Sequence, residues 1–142
     1  MRSFEKELIS GHFEKAKHLS SHMDLECLTE SLFRIAYDRQ SLAPYQFVHT
    51  LLLEKETAEL HYAASFLLSM ALNHLEDAYQ TAFVHATRAC ELAPTQTSYL
   101  EHLLYFYELP EPLLSKDQAM EIAARILEYD PNNKAAASVL ND

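Results

Sequence analysis

The sequence predicts an all-α protein, a single domain of stacked antiparallel helix pairs with seven or eight helices. Nearly half of the 142 residues, 49%, are hydrophobic, which is enough to form a folded core. The single glycine and five prolines leave few positions for the tight turns of a sheet protein. Apolar residues recur at helical spacing along most of the chain, so a sheet is not expected.

The first part of the chain, residues 1–56, is predicted to form degenerate helical hairpins. Residues 2–9 are a short, poorly patterned segment, and residues 11–23 follow with Phe13-x-x-Ala16, a pattern that recurs at Tyr79-x-x-Ala82. Asp24 is of a residue type preferred at an N-cap, and it precedes a helix to about Arg39. The apolar stripe of that helix has near-ideal spacing and consists of Leu25, Leu28, Leu32, Ile35 and Ala36.

Two further helices follow before the middle of the chain. Pro44 lies in the first turn of one of them, where proline is tolerated, and this helix ends near Glu54. Thr57 is the predicted N-cap of a longer helix that continues to about Asn73. A turn at residues 74–79 then leads to its partner helix.

A pattern of small residues occurs twice, 37 residues apart. The stretches "TAFVHATRACELAPTQT" and "AARILEYDPNN" end their helices at Pro94 and Pro131, because proline disfavours helical geometry at the preceding residue. The aligned small and apolar positions share one helix face and are Ala82, Ala86 and Ala89 in the first copy, and Ala119, Ala123 and Ile126 in the second. Such a repeat predicts two helix pairs at residues 57–94 and 97–131.

The second pair and the end of the chain carry further local signals. A helix is predicted from about Thr97 to Leu109, with a loop at residues 110–114. Ser115-x-x-Gln118 is the pattern of a capping box and starts the next helix. A short helix within residues 133–142 would cover the open end of the stack.

These stretches resemble the tetratricopeptide repeat, over about residues 60–142. "DAYQTAFVHATRACELAPTQ" and "DQAMEIAARILEYDPNN" are similar to the second helix of that repeat, with its aromatic residue, spaced alanines and proline end. Leu68-Ser69-x-x-Leu72 and Leu103-Leu104-x-x-Tyr107 stand where the family has Leu-Gly-x-x-Tyr. The glycine is missing, and Ser65 and Leu100 occupy the tryptophan position. The resemblance implies an α-solenoid with a right-handed superhelix that binds other proteins.

Charge is distributed unevenly along the chain. Residues 40–142 hold five basic and fourteen acidic groups, which is −9 of the formal net charge of −10. Such a field repels nucleic acid and anionic lipid and attracts basic partners. The longest apolar run, residues 63–72, is too short to cross a membrane, and the N-terminus has no apolar signal-peptide core. We therefore expect a cytoplasmic protein with a basic protein partner, no nucleic acid and no membrane.

In the repeat that the chain resembles, the first helix of each pair lines a concave groove. If the predicted apolar stripes are buried, six residues face that groove: Phe66, Met70 and Asn73 from one pair, and Glu101, Tyr105 and Glu108 from the next. Aromatic residues within a polar rim are typical binding anchors. Some members of that family bind the C-terminal carboxylate of a peptide through lysine, arginine and asparagine. Glu101 and Glu108 are negatively charged, so this chain is not expected to have that role. An ordinary solvated face for the two carboxylates, and a core role for Phe66 and Met70, are the alternatives.

The sequence does not predict catalysis or a cofactor. His18 and His22 are one helical turn apart, but the glutamate that follows the first histidine in a zinc-protease helix is missing. Cys27 and Cys90 lack paired spacing, so we expect two buried free thiols in a reducing compartment. Phosphate-binding loops need glycines that this chain does not have. We expect no metal and no cofactor.

Three functions from different classes fit these observations. The first is an acidic immunity or antitoxin protein that neutralises a basic, nuclease-like toxin. The second is a peptide-binding adaptor or regulator that uses the groove. The third is an enzyme, which would need a metal on His18 and His22. The sequence leaves the oligomeric state open.

Overall fold

The computed structural model describes residues 2–141, which are helical and contain no β-strand. The all-α class predicted from the sequence is therefore confirmed. The helices are α1 (Arg2–Ile9), α2 (Phe13–Leu19), α3 (Leu25–Arg39), α4 (Ala43–Glu54), α5 (Ala58–Phe66), α6 (Ala78–Leu92), α7 (Thr97–Leu104), α8 (Lys116–Tyr129) and α9 (Lys134–Leu140). None of the helices in this part of the chain is both long and apolar enough to span a bilayer.

The described residues form nine α-helices, so the predicted number of seven or eight was slightly too low. The N-terminal segment accounts for the difference, because it forms two separate short helices, α1 and α2. Gly11 lies between them with φ +80°, a left-handed conformation that side-chain-bearing residues rarely adopt. The backbone therefore turns at Gly11, between α1 and α2.

The predicted N-caps are present. The Asp24 carboxylate accepts a hydrogen bond from the backbone N–H three residues later, at 2.8 Å. The Thr57 hydroxyl does the same at 3.1 Å. Ser115 and Gln118 form the capping box in both directions, at 3.1 and 2.9 Å. Each of these side chains satisfies a backbone donor that the helix leaves unpaired, so these helices start where local sequence places them.

Two helices end earlier than the sequence predicts. The helix expected to reach Asn73 is α-helical only to Phe66 and continues as a π-helical turn, Leu67–Ala71. The helix expected to reach Leu109 becomes a 3₁₀ turn at Tyr105–Tyr107. Apolar spacing cannot separate these geometries here, because a segment of three to five residues is too short to reveal its own period.

Buried hydrophobic residues form one continuous cluster that extends from α1 to α9. At the N-terminal end, Phe4 and Phe13 pack on Phe47 of α4, with ring centroids 5.8 and 5.9 Å apart. Further along, α5 packs against α6, α7 against α8, and α8 against α9. The small residues aligned in the two repeat copies are at most 1% exposed, as predicted: Ala82, Ala86, Ala89, Ala119, Ala123 and Ile126.

The prediction of two buried thiols was wrong for one of them. Cys90 is buried, and this burial raises its pKa to about 11. Cys27 is exposed, because it lies one position before the buried Leu28 and so points about 100° away around α3.

Candidate functional site

The six residues of the predicted groove lie on α5, α7 and the turns that extend them. Asn73, Glu101 and Glu108 are exposed. The other three are half-buried: Phe66, Met70 and Tyr105. Their contacts divide them into separate groups.

Asn73 and Tyr105 meet through a third residue, Tyr79 of α6. The Asn73 Nδ2 donates a hydrogen bond to the Tyr79 hydroxyl at 3.1 Å, and the two tyrosine rings lie 6.4 Å apart. Burial, a hydrogen bond with Tyr79 and the charge of Glu108 raise the pKa of Tyr105 to about 12. Tyr105 is therefore a neutral phenol held by α6 rather than a free anchor.

Glu101 is hydrogen-bonded to the start of α9. Its carboxylate accepts a hydrogen bond from Nδ2 of Asn133, the residue that caps α9. Phe66 instead contacts α3, where its ring centroid lies 5.1 Å from that of Phe33. Thus Glu101 and Phe66 take part in two different helix contacts.

A row of five aromatic rings crosses three helices on the side where Phe66 lies. Tyr99 of α7 stacks on Tyr62 of α5 at 5.0 Å, and Tyr62 stacks on Phe66 at 6.1 Å. Phe66 contacts Phe33 of α3, which stacks on Tyr37 at 6.2 Å. The first four rings are half-buried, and Tyr37 is 60% exposed. We call these five residues the aromatic row.

An open cleft of about 380 Å³ adjoins the Tyr62 and Tyr99 end of this row. Three carboxylates line it, from Glu26 and Glu30 of α3 and Glu59 of α5. None of the three forms an ion pair with another residue of the part of the chain described here. We call this the acidic cleft, and its remaining lining consists of Leu25, Thr29, Gln96 and Ser98.

The chemistry of the acidic cleft suits a cation. Burial, with the charges of Glu59 and Tyr62, raises the pKa of Tyr99, and burial with the charge of Glu101 raises that of Tyr62. Both phenols are therefore neutral at physiological pH. A neutral aromatic face attracts a lysine or arginine side chain, and unpaired carboxylates nearby add a Coulombic attraction.

Phe66 was predicted from the sequence as a groove residue, but the other four members of the aromatic row were missed, although the row has a signal in the sequence. Phe33 and Tyr37 are four residues apart, as are Tyr62 and Phe66, so each pair shares a helix face. What the sequence does not show is that these two faces meet, because residues 33 and 66 are joined only by the packing of α3 against the end of α5.

A network of hydrogen-bonded polar side chains, which the sequence did not predict, lies inside the molecule. Tyr45 of α4 is hydrogen-bonded to His85 of α6, with its hydroxyl 2.9 Å from Nε2. The Nδ1 atoms of His85 and His61 of α5 are 2.9 Å apart, and Nε2 of His61 is 2.7 Å from a carboxylate oxygen of Glu56. His61 and His85 are 9% and 8% exposed. We call Tyr45, His85, His61 and Glu56 the histidine chain.

Arg88 anchors the outer end of the histidine chain. Its Nε and Nη2 donate to the two carboxylate oxygens of Glu56 at 3.0 and 2.9 Å. The hydrogen bonds from Arg88 and His61 lower the pKa of Glu56 to about 2, so this carboxylate is ionised at neutral pH. Burial and the charges of His61 and His49 lower the pKa of His85 to about 4.

One buried pair has the composition of a catalytic dyad. The Ser65 hydroxyl lies 2.7 Å from Nε2 of His102. Ser65 is 0% exposed, and burial lowers the pKa of His102 to about 4. A nucleophile must reach its substrate, so this enclosed pair is a structural contact between α5 and α7.

The histidines considered for a metal site do not share a helix face. His18 lies in α2, which ends at Leu19, so His22 lies beyond the helix. Both side chains are exposed. Residues 2–141 contain no group of three or more histidine, cysteine, aspartate or glutamate side chains placed to hold a metal ion.

Comparison with protein-family models, with characterised proteins and with solved structures finds no match to this chain.

Proposed function

We propose that this protein is a non-catalytic protein-binding module that recognises its partner through the aromatic row and the acidic cleft. The observation that carries this proposal is the row itself, five rings in contact across α3, α5 and α7 on the molecular surface. Aromatic side chains supply large contact areas with few rotatable bonds, so they are common anchors of protein interfaces. A half-buried row is already ordered before binding, which lowers the entropic cost of association.

Charge indicates what kind of partner the surface fits. The acidic cleft offers three carboxylates without ion-pair partners, next to two neutral phenol rings. The chain as a whole carries a formal net charge of −10. A basic segment of another protein is complementary to both features, whereas the phosphates of nucleic acid are repelled.

The specific role we propose is that of an immunity or antitoxin protein, which would cover the basic surface of a nuclease-like toxin. The small size and the acidity of the chain support this role. The second candidate, a peptide-binding adaptor, is favoured by the open acidic cleft of about 380 Å³, which lies beside two aromatic rings. A cytoplasmic location belongs to both proposals and suits the two unpaired cysteines.

The proposed architecture is a tetratricopeptide-like stack in which α5 with α6 and α7 with α8 are the repeat pairs. The order of helix contacts supports it, since α5 packs on α6, α6 on α7, α7 on α8 and α8 on α9. In such a stack α3, α5 and α7 are first helices of their pairs, which is the position of the concave surface in that family. The aromatic row then lies where a partner would bind.

The experiment begins with a pull-down to identify the partner by mass spectrometry, followed by surface plasmon resonance with the purified pair. Tyr37→Ala tests the row without touching the core, because Tyr37 is 60% exposed. Tyr129→Ala of α8, 53% exposed, removes the same side chain outside the row and is the matched control. We expect weaker binding for Tyr37→Ala only.

Two results would contradict the proposal. A partner with an acidic contact surface would refute the charge argument. Equal binding by both tyrosine variants and by wild type would place the interface away from the row. To separate the two roles, a synthetic peptide from the partner is compared with the whole partner, since an adaptor binds the peptide nearly as well and an immunity protein does not.

A further inference from the structure

Part of the lining of the acidic cleft is a flat aromatic surface that ends at Tyr99. Tyr62 stacks on Phe66 at 6.1 Å and on Tyr99 at 5.0 Å. Tyr99 is the last ring of the aromatic row, and Tyr62 is its one ring neighbour among the described residues. Because Tyr99 lines the cleft and is only half-buried, part of its ring is accessible to a ligand there. The cleft therefore holds an ordered aromatic surface before anything binds.

Carboxylates from two helices stand beside this surface. Glu26 and Glu30 are four residues apart on α3, so they share one face of that helix. Glu59 belongs to α5, and its charge, after burial, is the next cause of the raised pKa of Tyr99. Glu59 therefore acts on the Tyr99 phenol. A cation in the cleft would lie between carboxylates of α3 on one side and of α5 on the other.

The uncharged polar groups of the cleft add further hydrogen-bond acceptors. The Thr29 hydroxyl donates to the backbone carbonyl of Leu25 at 2.8 Å, so its oxygen is left to accept. The Gln96 amide nitrogen donates to the Ser98 hydroxyl at 3.2 Å, and the amide oxygen of Gln96 can only accept. No lysine, arginine or histidine of the described residues lines the cleft. Its chemistry therefore suits a ligand that is rich in N–H donors.

The placement of the carboxylates favours an organic cation over a metal ion. A metal ion needs its oxygen ligands to converge at about 2.0–2.6 Å. Within residues 2–141, no three histidine, cysteine, aspartate or glutamate side chains converge in this way. Carboxylates spread around a cleft of about 380 Å³ can instead be reached by a side chain whose donors are themselves spread apart.

A guanidinium group matches this cleft better than an ammonium group does. It is planar, its five N–H donors point outwards in the plane, and its faces stack on aromatic rings. Its edges can therefore bond carboxylates of α3 and α5 while one face lies on Tyr99. A lysine ammonium is a compact, strongly hydrated charge without a flat face, so in an open cleft it keeps its water.

We propose that the acidic cleft is an arginine-selective pocket, which binds one arginine side chain of the partner with its guanidinium stacked on Tyr99 and bonded to carboxylates of α3 and α5. This inference rests on the proposed function, in which the cleft meets a basic segment of another protein. It adds that the residue recognised is arginine, and that lysine of the same charge is a poor substitute.

Single amino-acid probes test the pocket without the partner. Nuclear magnetic resonance follows the backbone amides of Gln96, Ser98 and Tyr99 during titration with Nα-acetyl-arginine amide, its lysine counterpart, and its citrulline counterpart, which is planar but uncharged. We expect saturable shifts with the arginine probe and a dissociation constant about fivefold lower than for lysine, the factor of an exposed cation–π contact. Citrulline should bind more weakly than both. An arginine affinity no higher than that of either other probe, or shifts that map outside the cleft, would overturn the pocket.

Two variants separate the contributions of the ring and the charge. Tyr99→Leu keeps an apolar side chain but removes the flat ring, so the arginine and lysine probes should bind with nearly equal affinity. Glu59→Gln keeps the shape but removes a charge, so both probes should bind more weakly. The matched controls on α8 are Tyr129→Leu and Glu128→Gln, both at exposed sites, and they should bind as wild type does. Circular dichroism checks the fold of each variant, and an arginine preference that survives in folded Tyr99→Leu would refute stacking on that ring.

The identified partner separates failure of this pocket from failure of the proposed function. Each arginine on the partner's contact surface is replaced by lysine, which keeps the charge. One such replacement should weaken binding to the wild-type protein by about fivefold and leave binding to Tyr99→Leu unchanged. If no replacement does so while Tyr37→Ala still weakens binding, the pocket is wrong and the proposed function stands. If the arginine probe binds in the cleft but Tyr37→Ala, Tyr99→Leu and Glu59→Gln all bind the partner as wild type does, the proposed function is wrong and the pocket stands.

Discussion

The Ser65 hydroxyl is hydrogen-bonded to Nε2 of His102 inside the core, at 2.7 Å, so one polar contact fixes α5 against α7. In the proposed tetratricopeptide-like alignment, Ser65 occupies the tryptophan position. A small residue there makes room for the imidazole of the following pair. Three predictions concern the stability of the fold, and two concern the binding surface.

Removing the hydroxyl of Ser65 should destabilise the protein by about 1–3 kcal/mol, because a buried imidazole nitrogen loses its partner. The variant is Ser65→Ala, and the measurement is urea unfolding followed by circular dichroism. Ser10→Ala, at an exposed site outside the core, is the control and should leave the midpoint unchanged. Equal stability of the two variants would mean that the contact contributes nothing.

Stability should fall as the pH drops from 6.5 to 4, and His102 should cause part of this fall. Burial lowers the pKa of His102 from 6.5 to about 4, so the unfolded chain binds a proton in this window while the folded chain does not. The stabilisation is complete above pH 6.5 and is lost as the pH falls towards 4, by an amount on the order of 3 kcal/mol. Urea unfolding at pH 7, 5.5 and 4 should show a flatter profile for His102→Gln. A profile as steep as that of wild type would contradict the prediction.

A leucine at Ala86 or Ala123 should overpack the core by roughly 1–3 kcal/mol, because both alanines are at most 1% exposed and lie on helix faces that meet a neighbour. Thermal unfolding of Ala86→Leu and Ala123→Leu measures the loss. Val84→Leu on the same helix as Ala86 is the control, since Val84 is 66% exposed. An unchanged midpoint for Ala123→Leu would show that the two copies of the small-residue pattern do not pack alike.

Charge reversal in the acidic cleft should slow association with a basic partner. The double variant Glu30→Lys with Glu59→Lys should lower the association rate and its dependence on salt, since steering acts over about 8 Å at physiological ionic strength. Glu121→Lys with Glu128→Lys on α8 makes the same change in net charge away from the cleft. Surface plasmon resonance at two salt concentrations compares them, and equal effects would mean that only net charge matters.

The groove predicted from sequence makes a competing prediction. If Tyr105 is an anchor, Tyr105→Ala should raise the dissociation rate by an amount near 2 kcal/mol, and Glu101→Lys with Glu108→Lys should slow association. Because Tyr105 packs on Tyr79 and Glu101 bonds to Asn133, these variants should also lower stability, so unfolding midpoints must be measured alongside binding. The interface would lie at Asn73, Tyr105 and Glu108 if these groove variants lose binding while Tyr37→Ala and the charge-reversal variant of the acidic cleft retain it.

Sequence by itself determined the features that depend on neighbours three or four residues away. Asp24, Thr57 and Ser115 start their helices because each side chain reaches a backbone N–H three residues later. Ala86 and Ala123 were predicted to be buried because helical spacing places them on an apolar face. The scarcity of glycine and the helical periodicity were enough to predict that the fold is all-α.

Tertiary structure alone decided which faces meet. Tyr45 and His85 are 40 residues apart in the chain, and His61 and His85 are 24 apart. No local sequence pattern therefore indicates that these side chains are hydrogen-bonded to one another. Likewise Phe33 and Phe66 become one row only because α3 packs against the end of α5 and the π-helical turn that follows it. Local hydrogen bonds and periodicity fix where a helix lies along the chain, whereas the rotation of each helix against its neighbours depends on how all the buried side chains fit together.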